Sequence, residues 1–265
     1  MLKRYLSTSS PWTYFLLTFA FSWLFWLPAA FIPTEIPTSP WVVLLYAGGL
    51  GPAVAGLSLI YLTKDKAYQR EYWQRILDPR RIRWYWYLVI LGAYPLLVAL
   101  SALAVQGQVP ASSELNNLLA QPGRLLPFVF FIFIFGPLPE ELGWRGYALD
   151  ELQAHLSPLA ASLVLGGFWA LWHVPLFFMN GTFQNELGFG TLAFWEFCLS
   201  AVLFSLFVTW AYNHNRRSTL SAVIFHFSVN LTGNLMVVSP TAELARIAAM
   251  LTLAVLLVLA GGLDV

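Results

Sequence analysis

Eight nearly unbroken apolar stretches recur along the chain, at about residues 12–33, 41–62, 84–105, 125–150, 158–178, 189–212, 219–238 and 242–262. A helix needs about 20 residues to cross a hydrocarbon core, and each stretch approaches or exceeds that length. Backbone polar groups in lipid must be satisfied within the segment, so such runs read as helices. The pattern therefore predicts an all-α polytopic membrane protein with about eight transmembrane helices. Residues 1–265 read as a single integral membrane domain, with scaffold helices in 1–124, a core in 125–238 and a last helix at 242–262. Ala29 and Ala30 faintly resemble a cleavage site, but the first run exceeds a signal-peptide core and is read as a retained span. Gly48, Gly49 and Gly51 in the second run favour close helix contact.

The polar connections fix a direction. Lys64, Lys66, Arg70, Arg75, Arg80, Arg81 and Arg83 crowd one connection, where Trp73, Ile76 and Leu77 give a short apolar face at helical spacing. This segment reads as a cytoplasmic loop with an interfacial helix on anionic lipid, and chiefly as a topology anchor. The connection before residue 125 holds only Glu114 and Arg124 as charges and is expected outside. With eight spans, Lys3, Arg4, those seven residues, Arg216 and Arg217 fall on one side. That makes eleven of the fourteen Lys and Arg, the asymmetry that places both termini in the cytoplasm. The location is then an integral multi-pass membrane, the plasma membrane if the source is bacterial.

Composition agrees and removes alternatives. The chain is 58% hydrophobic and 10% charged, far from the roughly one quarter charged of soluble domains. A net charge of +1 leaves no nucleic-acid footprint. The single cysteine, Cys198, allows no disulfide within one chain and reads as a buried, inert thiol.

Against this background, residues 136–149 stand out, because Glu140, Glu141 and Arg145 directly follow the apolar run 125–135. An ionised side chain at membrane depth costs at least ~2.5 kcal/mol on insertion scales, so it faces the interior, finds a partner and marks function. Pro137 and Pro139 interrupt the preceding helix, and Pro139 suits the first position of a new one. Glu141 and Arg145 stand i,i+4 with the acid first, the favoured order for an ion pair, while Glu140 points elsewhere on the helix. Glu141 and Arg145 are thus expected to neutralise each other, leaving Glu140 for chemistry.

The remaining deep polar groups are His173, Glu196, His226 and Asn230. His226 and Asn230, i,i+4, can aim at one point, or serve as packing glue between helices. Glu196 stands alone near the outer half of its span and reads as structural or rim-exposed. At ~1.5 Å per residue, His226, Asn230 and Glu140 come out at similar depth and His173 deeper. One acid, two imidazoles and an amide suit activation of water, with Glu as general base and Asn and His as oxyanion donors, or with His and Glu as zinc ligands. Other hydrolytic plans lack their parts: no His-Glu-x-x-His, no Gly-x-Ser-x-Gly, and no pair of aspartates within the spans for an aspartyl dyad.

Three separated motifs resemble those of the CPBP intramembrane proteases, which include type II CAAX prenyl endopeptidases and the Abi bacteriocin-immunity proteins. Glu140-Glu141-x-x-x-Arg145 is similar to the family's first motif, His173 to the histidine of its Phe-x-x-x-His motif, and His226-x-x-x-Asn230 to its last. Trp169 stands where that second motif has phenylalanine. The resemblance covers about residues 125–235 and implies an eight-helix fold with its site in the C-terminal half, reached from the cytoplasmic side. It also implies that Glu140 activates water with help from His173, that His226 and Asn230 form an oxyanion hole, and that Glu141 and Arg145 support them. The substrate would be a prenylated C-terminal tail or a small membrane-associated peptide, with membrane lipid as the other partner.

No cofactor is required by this plan. A zinc site would draw on His173, His226 and Glu140, and a third ligand would take Glu140 from its role as base or Glu141 from Arg145, so the expectation leans to a metal-free site. The rival readings are a proton-coupled transporter, which usually shows repeated halves, and a non-catalytic immunity or scaffold protein. Oligomeric state is not legible.

Overall fold

The computed structural model describes residues 10–109 and 111–263, so Lys3, Arg4 and both chain ends, on which the expected placement of the termini rests, lie outside the described residues. Its helices are α1 (Pro11–Ala29), α2 (Val42–Gly49), α3 (Gly51–Thr63), α4 (Lys66–Leu77), α5 (Trp84–Gln106), α6 (Ser113–Ala120), α7 (Leu125–Phe135), α8 (Pro137–Gly143), α9 (Leu149–Gln153), α10 (Pro158–Trp172), α11 (Phe183–Leu187), α12 (Leu192–His214), α13 (Thr219–Leu235) and α14 (Pro240–Leu259). Among the described residues, seven helical segments are long and apolar enough to cross a membrane. The remaining expected span is α13, a helix of 17 residues. The chain is an all-α, polytopic integral membrane protein.

Local sequence explains the boundaries. Ser10, Ser112, Ser157, Thr191, Ser218 and Ser239 each cap a following helix through the side-chain oxygen, satisfying amide donors that a helix start leaves open. The second span is broken at Leu50 into α2 and α3. Its glycines do serve close contact: a Cβ on Gly48 would fall 2.2 Å from the Trp26 indole, and one on Gly51 2.0 Å from Ser22 Oγ, whereas Gly49 faces open space.

Pairs α10–α12, α3–α8, α5–α13, α5–α14 and α1–α3 form the main contacts of the bundle. The first helix is an integral part of it. The Trp172 indole donates to Ser22 Oγ at 2.7 Å, and the Trp23 indole to the Trp172 carbonyl at 3.1 Å. Helix α8 fits against α3 because residue 143 is glycine: a Cβ there would lie 2.1 Å from the Pro52 carbonyl oxygen and 2.4 Å from the Tyr14 hydroxyl.

Burial changes abruptly along the fourth span. No residue of α7 is buried, and its rings meet other aromatics, Phe131 and Phe135 against Tyr46, and Phe133 against Phe227. From Pro137 to Leu149 every residue except Leu138 and Leu142 is buried.

The basic connection departs from its reading as a surface anchor. Helix α4 turns Gln69, Tyr72, Arg75 and Ile76 inward, while Leu77 is exposed. Arg75 is 1% exposed; it pairs with Asp150 and donates to the Tyr212 hydroxyl at 2.6 Å and the Gly146 carbonyl at 3.3 Å. Arg217 pairs with Asp150 from the other side, and Lys64 with Glu151. Burial holds the Tyr72 hydroxyl well above its ordinary pKa, so it stays a donor, and it reaches the Leu142 carbonyl at 3.1 Å. Periodicity had marked only the apolar positions of α4; the inward guanidinium was hidden because Asp150, its partner, lies 75 positions away.

Arg75→Ala should lower stability by about 3 kcal/mol, near the bottom of the range for breaking a buried ion pair because Arg217 still holds Asp150. Thermal unfolding of detergent-solubilised protein, with Arg80→Ala at an exposed pair as control, measures it.

Candidate active site

The chain reaches the site through a helix restart. Helix α7 ends at Gly136, whose backbone (φ −133°, ψ −93°) redirects the chain, and α8 begins at Pro137, not at Pro139 as the sequence suggested. A proline at the first helical position loses no hydrogen bond, since that amide has no intrahelical partner. Glu140 and Glu141 follow in the opening turns, and Arg145 sits in the π-helical turn Trp144–Ala148. The extra residue per turn there does not prevent the expected ion pair.

That pair is fully buried. Arg145 Nη1 donates to Glu141 Oε1 at 2.9 Å and Oε2 at 3.1 Å, with both side chains 0% exposed. Arg145 Nε and Nη2 have no hydrogen-bond partner among the described residues, and the guanidinium lies 5.2 Å from the Trp169 ring centre, a cation–π contact that offsets part of their desolvation. Glu141 carries a second duty that spacing did not reveal. His226 Nδ1, from α13, meets Glu141 Oε1 at 2.9 Å. A carboxylate only accepts, so Nδ1 carries hydrogen and Nε2 is the nitrogen left for other work.

Glu140, 9% exposed, has no cationic partner among the described residues. Its Oε2 accepts the Trp169 indole N–H at 2.7 Å. His173 caps the end of α10 and is 8% exposed; its Nδ1 lies 2.8 Å from the Trp169 carbonyl. A carbonyl too only accepts, which places hydrogen on Nδ1 and leaves the Nε2 lone pair available on the neutral ring. Trp172 and Phe197 hold that ring edge-on, at centroid distances of 4.8 and 5.2 Å. Although counted as deeper from sequence, His173 joins the same cluster, because α10 brings Trp169 beside Glu140 one turn before it.

Asn230 is half-buried and stands apart from this network. Its Nδ2 lies 2.9 Å from where a Cβ on Gly136 would be, over the break that precedes Glu140. His226 and Asn230 thus both address the segment 136–141, at different points along it. Glu196 is half-buried on α12, within the field of Arg246, which binds Glu243 and Ser200. It lies outside the cluster. Cys198 is free and half-buried. The sequence reading missed the donor role of Trp169; its position four before His173 was the available signal.

Among the described residues no three His, Cys, Asp or Glu side chains converge closely enough to hold a metal ion. Glu140 is turned to Trp169, and Glu141 is engaged by Arg145 and His226. A three-ligand zinc set of His173, His226 and Glu140 does not fit this arrangement.

Removing one member of the buried pair strands the other charge. Glu141→Gln and Arg145→Ala should each lower stability by about 3–5 kcal/mol. Glu140→Gln keeps an acceptor for Trp169 and should fold close to wild type. Folded yield and thermal unfolding of the three variants check this order, and a Glu140→Gln less stable than the other two would overturn the division of roles.

Comparison with known proteins bears on the same residues. The sequence model of the type II CAAX prenyl endopeptidase Rce1-like family matches residues 122–232, the segment that runs from the turn before α7 through all the clustered side chains. A CAAX prenyl protease 2 of Methanococcus maripaludis is 28% identical over 257 residues, covering 94% of this chain and 93% of that protein. The likeness therefore extends beyond the motifs through the scaffold helices. With its membrane-spanning bundle and the Glu-Glu-Arg, His and His-Asn residues on α8 to α13, the chain is similar to the type II CAAX prenyl endopeptidases (Rce1-like), a likeness that marks it as a membrane peptidase.

Proposed function

We propose that the chain hydrolyses a peptide bond near the cytoplasmic membrane face, with Glu140 as general base toward a water molecule. The observation that carries this reading is the contrast between the two adjacent acids: Glu141 is neutralised by Arg145 and His226, whereas Glu140 is buried with one neutral donor. A carboxylate that is no member of an ion pair keeps more of its basicity for a proton. Glu140 takes a proton from water as the oxygen attacks the scissile carbonyl, with the His173 Nε2 lone pair accepting the second water hydrogen. The proton on Glu140 then passes to the leaving amine as the carbon–nitrogen bond breaks.

The developing oxyanion is met by His226 Nε2 and the Asn230 amide. For Nε2 to donate, the ring must be imidazolium, and the Glu141 carboxylate at Nδ1 supports that charge while fixing the ring, the division of labour seen in acid–histidine pairs. Asn230, beside the Gly136 break, supplies a neutral N–H. All four side chains then have duties without a metal.

Similarity to a protein named CAAX prenyl protease 2 favours a prenylated C-terminal tail as substrate, presented from the bilayer, with lipid as the second partner. A small membrane-associated peptide is the alternative occupant. Arg75, Arg81, Arg216 and Arg217 gather at one end of the bundle, and the positive-inside rule assigns that end, and both termini, to the cytoplasm.

Membranes carrying wild type should release the tripeptide from a prenylated CAAX peptide, and Glu140→Gln should abolish release while folding normally. Retained release by Glu140→Gln would refute the assignment of the base. Asn230→Ala should lower kcat by about 10²–10³-fold, the typical loss of an oxyanion donor, with KM little changed. Purified active protein should contain no stoichiometric zinc; one zinc per chain, with activity lost to a chelator and restored by zinc, would reassign the histidines as ligands.

A further inference from the structure

Four polar residues of the cluster touch one residue that none of the motifs assigns to the chemistry. The Trp169 indole N–H donates to Glu140 Oε2 at 2.7 Å, and the Trp169 carbonyl accepts from His173 Nδ1 at 2.8 Å. The Arg145 guanidinium lies 5.2 Å from its ring centre, and the His226 ring meets it edge-to-face at 5.1 Å and 78°. Phe204 closes the far side of both rings, at 5.9 Å from Trp169 and 5.8 Å from His226. Trp169 is 5% exposed, so the indole donor is shielded from bulk water.

We propose that Trp169 is a positioning residue: its indole N–H fixes the plane of the Glu140 carboxylate and directs the other oxygen at the reacting water, while its carbonyl sets the tautomer of His173. A carboxylate on a glutamate stem has three rotatable bonds and, buried outside any ion pair, would otherwise be free to turn toward the charged side chains around it. The N–H donor holds it off. A phenylalanine at 169 would keep the ring contacts with Arg145 and His226 and lose only this bond. The inference rests on Glu140 acting as base.

Two substitutions isolate the bond. Trp169→Phe removes the donor, and 3-benzothienylalanine installed at 169 replaces N–H by sulfur with almost unchanged shape. With the prenylated peptide as probe, both should lower kcat roughly tenfold to a hundredfold, the span of one hydrogen bond to a charged group, with KM within about twofold and folded yield retained. The 15N-labelled indole signal that disappears in Trp169→Phe should lie downfield in wild type and move upfield in Glu140→Gln, but not in Glu196→Gln.

Unchanged kcat in the benzothienyl variant would overturn the proposal, as would an indole signal indifferent to Glu140→Gln. An indole signal that does respond, in a protein whose Glu140→Gln variant still cleaves, would show that the bond exists and that Glu140 is not the base. The failure of that reading is then distinguishable from failure of the contact.

Discussion

A buried ion pair fixes where its members must lie, and Glu141 is the group around which this bundle is pinned. It binds Arg145 on its own helical segment and His226 from α13, so one anion joins two otherwise separate parts of the chain. The energetic stake is one-sided: an intact buried pair adds little net stability, whereas loss of either member exposes the full desolvation penalty of the other. The pair therefore specifies where α8 and α13 meet more than it strengthens the meeting. Once they meet there, Glu140 is the remaining acid, and Trp169 the donor within its reach.

The same logic extends to the end of the bundle. Arg75 and Asp150 repeat the arrangement one layer out, with Tyr212 and Arg217 completing the set. Because Arg75 also donates to the Gly146 carbonyl, and Tyr72 to that of Leu142, helix α4 clasps the backbone on both sides of Arg145. The basic connection thus supports the segment that carries the acids.

Legibility followed the range of the interactions. Span positions were readable because lipid demands runs of apolar residues, and helix ends came within a few positions of those runs. The Glu141–Arg145 pair was readable because i,i+4 geometry is local. What could not be read were contacts between positions far apart in sequence: His226 with Glu141, Arg75 with Asp150, Trp169 with Glu140. The start of α8 at Pro137 was misplaced because two prolines two residues apart both suit a first helical position, and the Gly136 turn decides between them. Trp169 appeared in the sequence as a conservative exchange of one aromatic for another, and its N–H gained meaning only when an acid was found opposite it.

The abrupt change of burial at Gly136 has an evolutionary corollary. Helix α7 is bounded by lipid and a few flanking rings, so selection there can ask for little beyond hydrophobicity and length. Pro137 to Leu149 is packed on nearly every side, and there volume, charge and even the absence of a Cβ at residue 143 are all constrained. Two adjoining halves of one membrane span are therefore under unequal packing constraint, the first needing only apolar residues, the second particular ones, with the boundary at a single glycine.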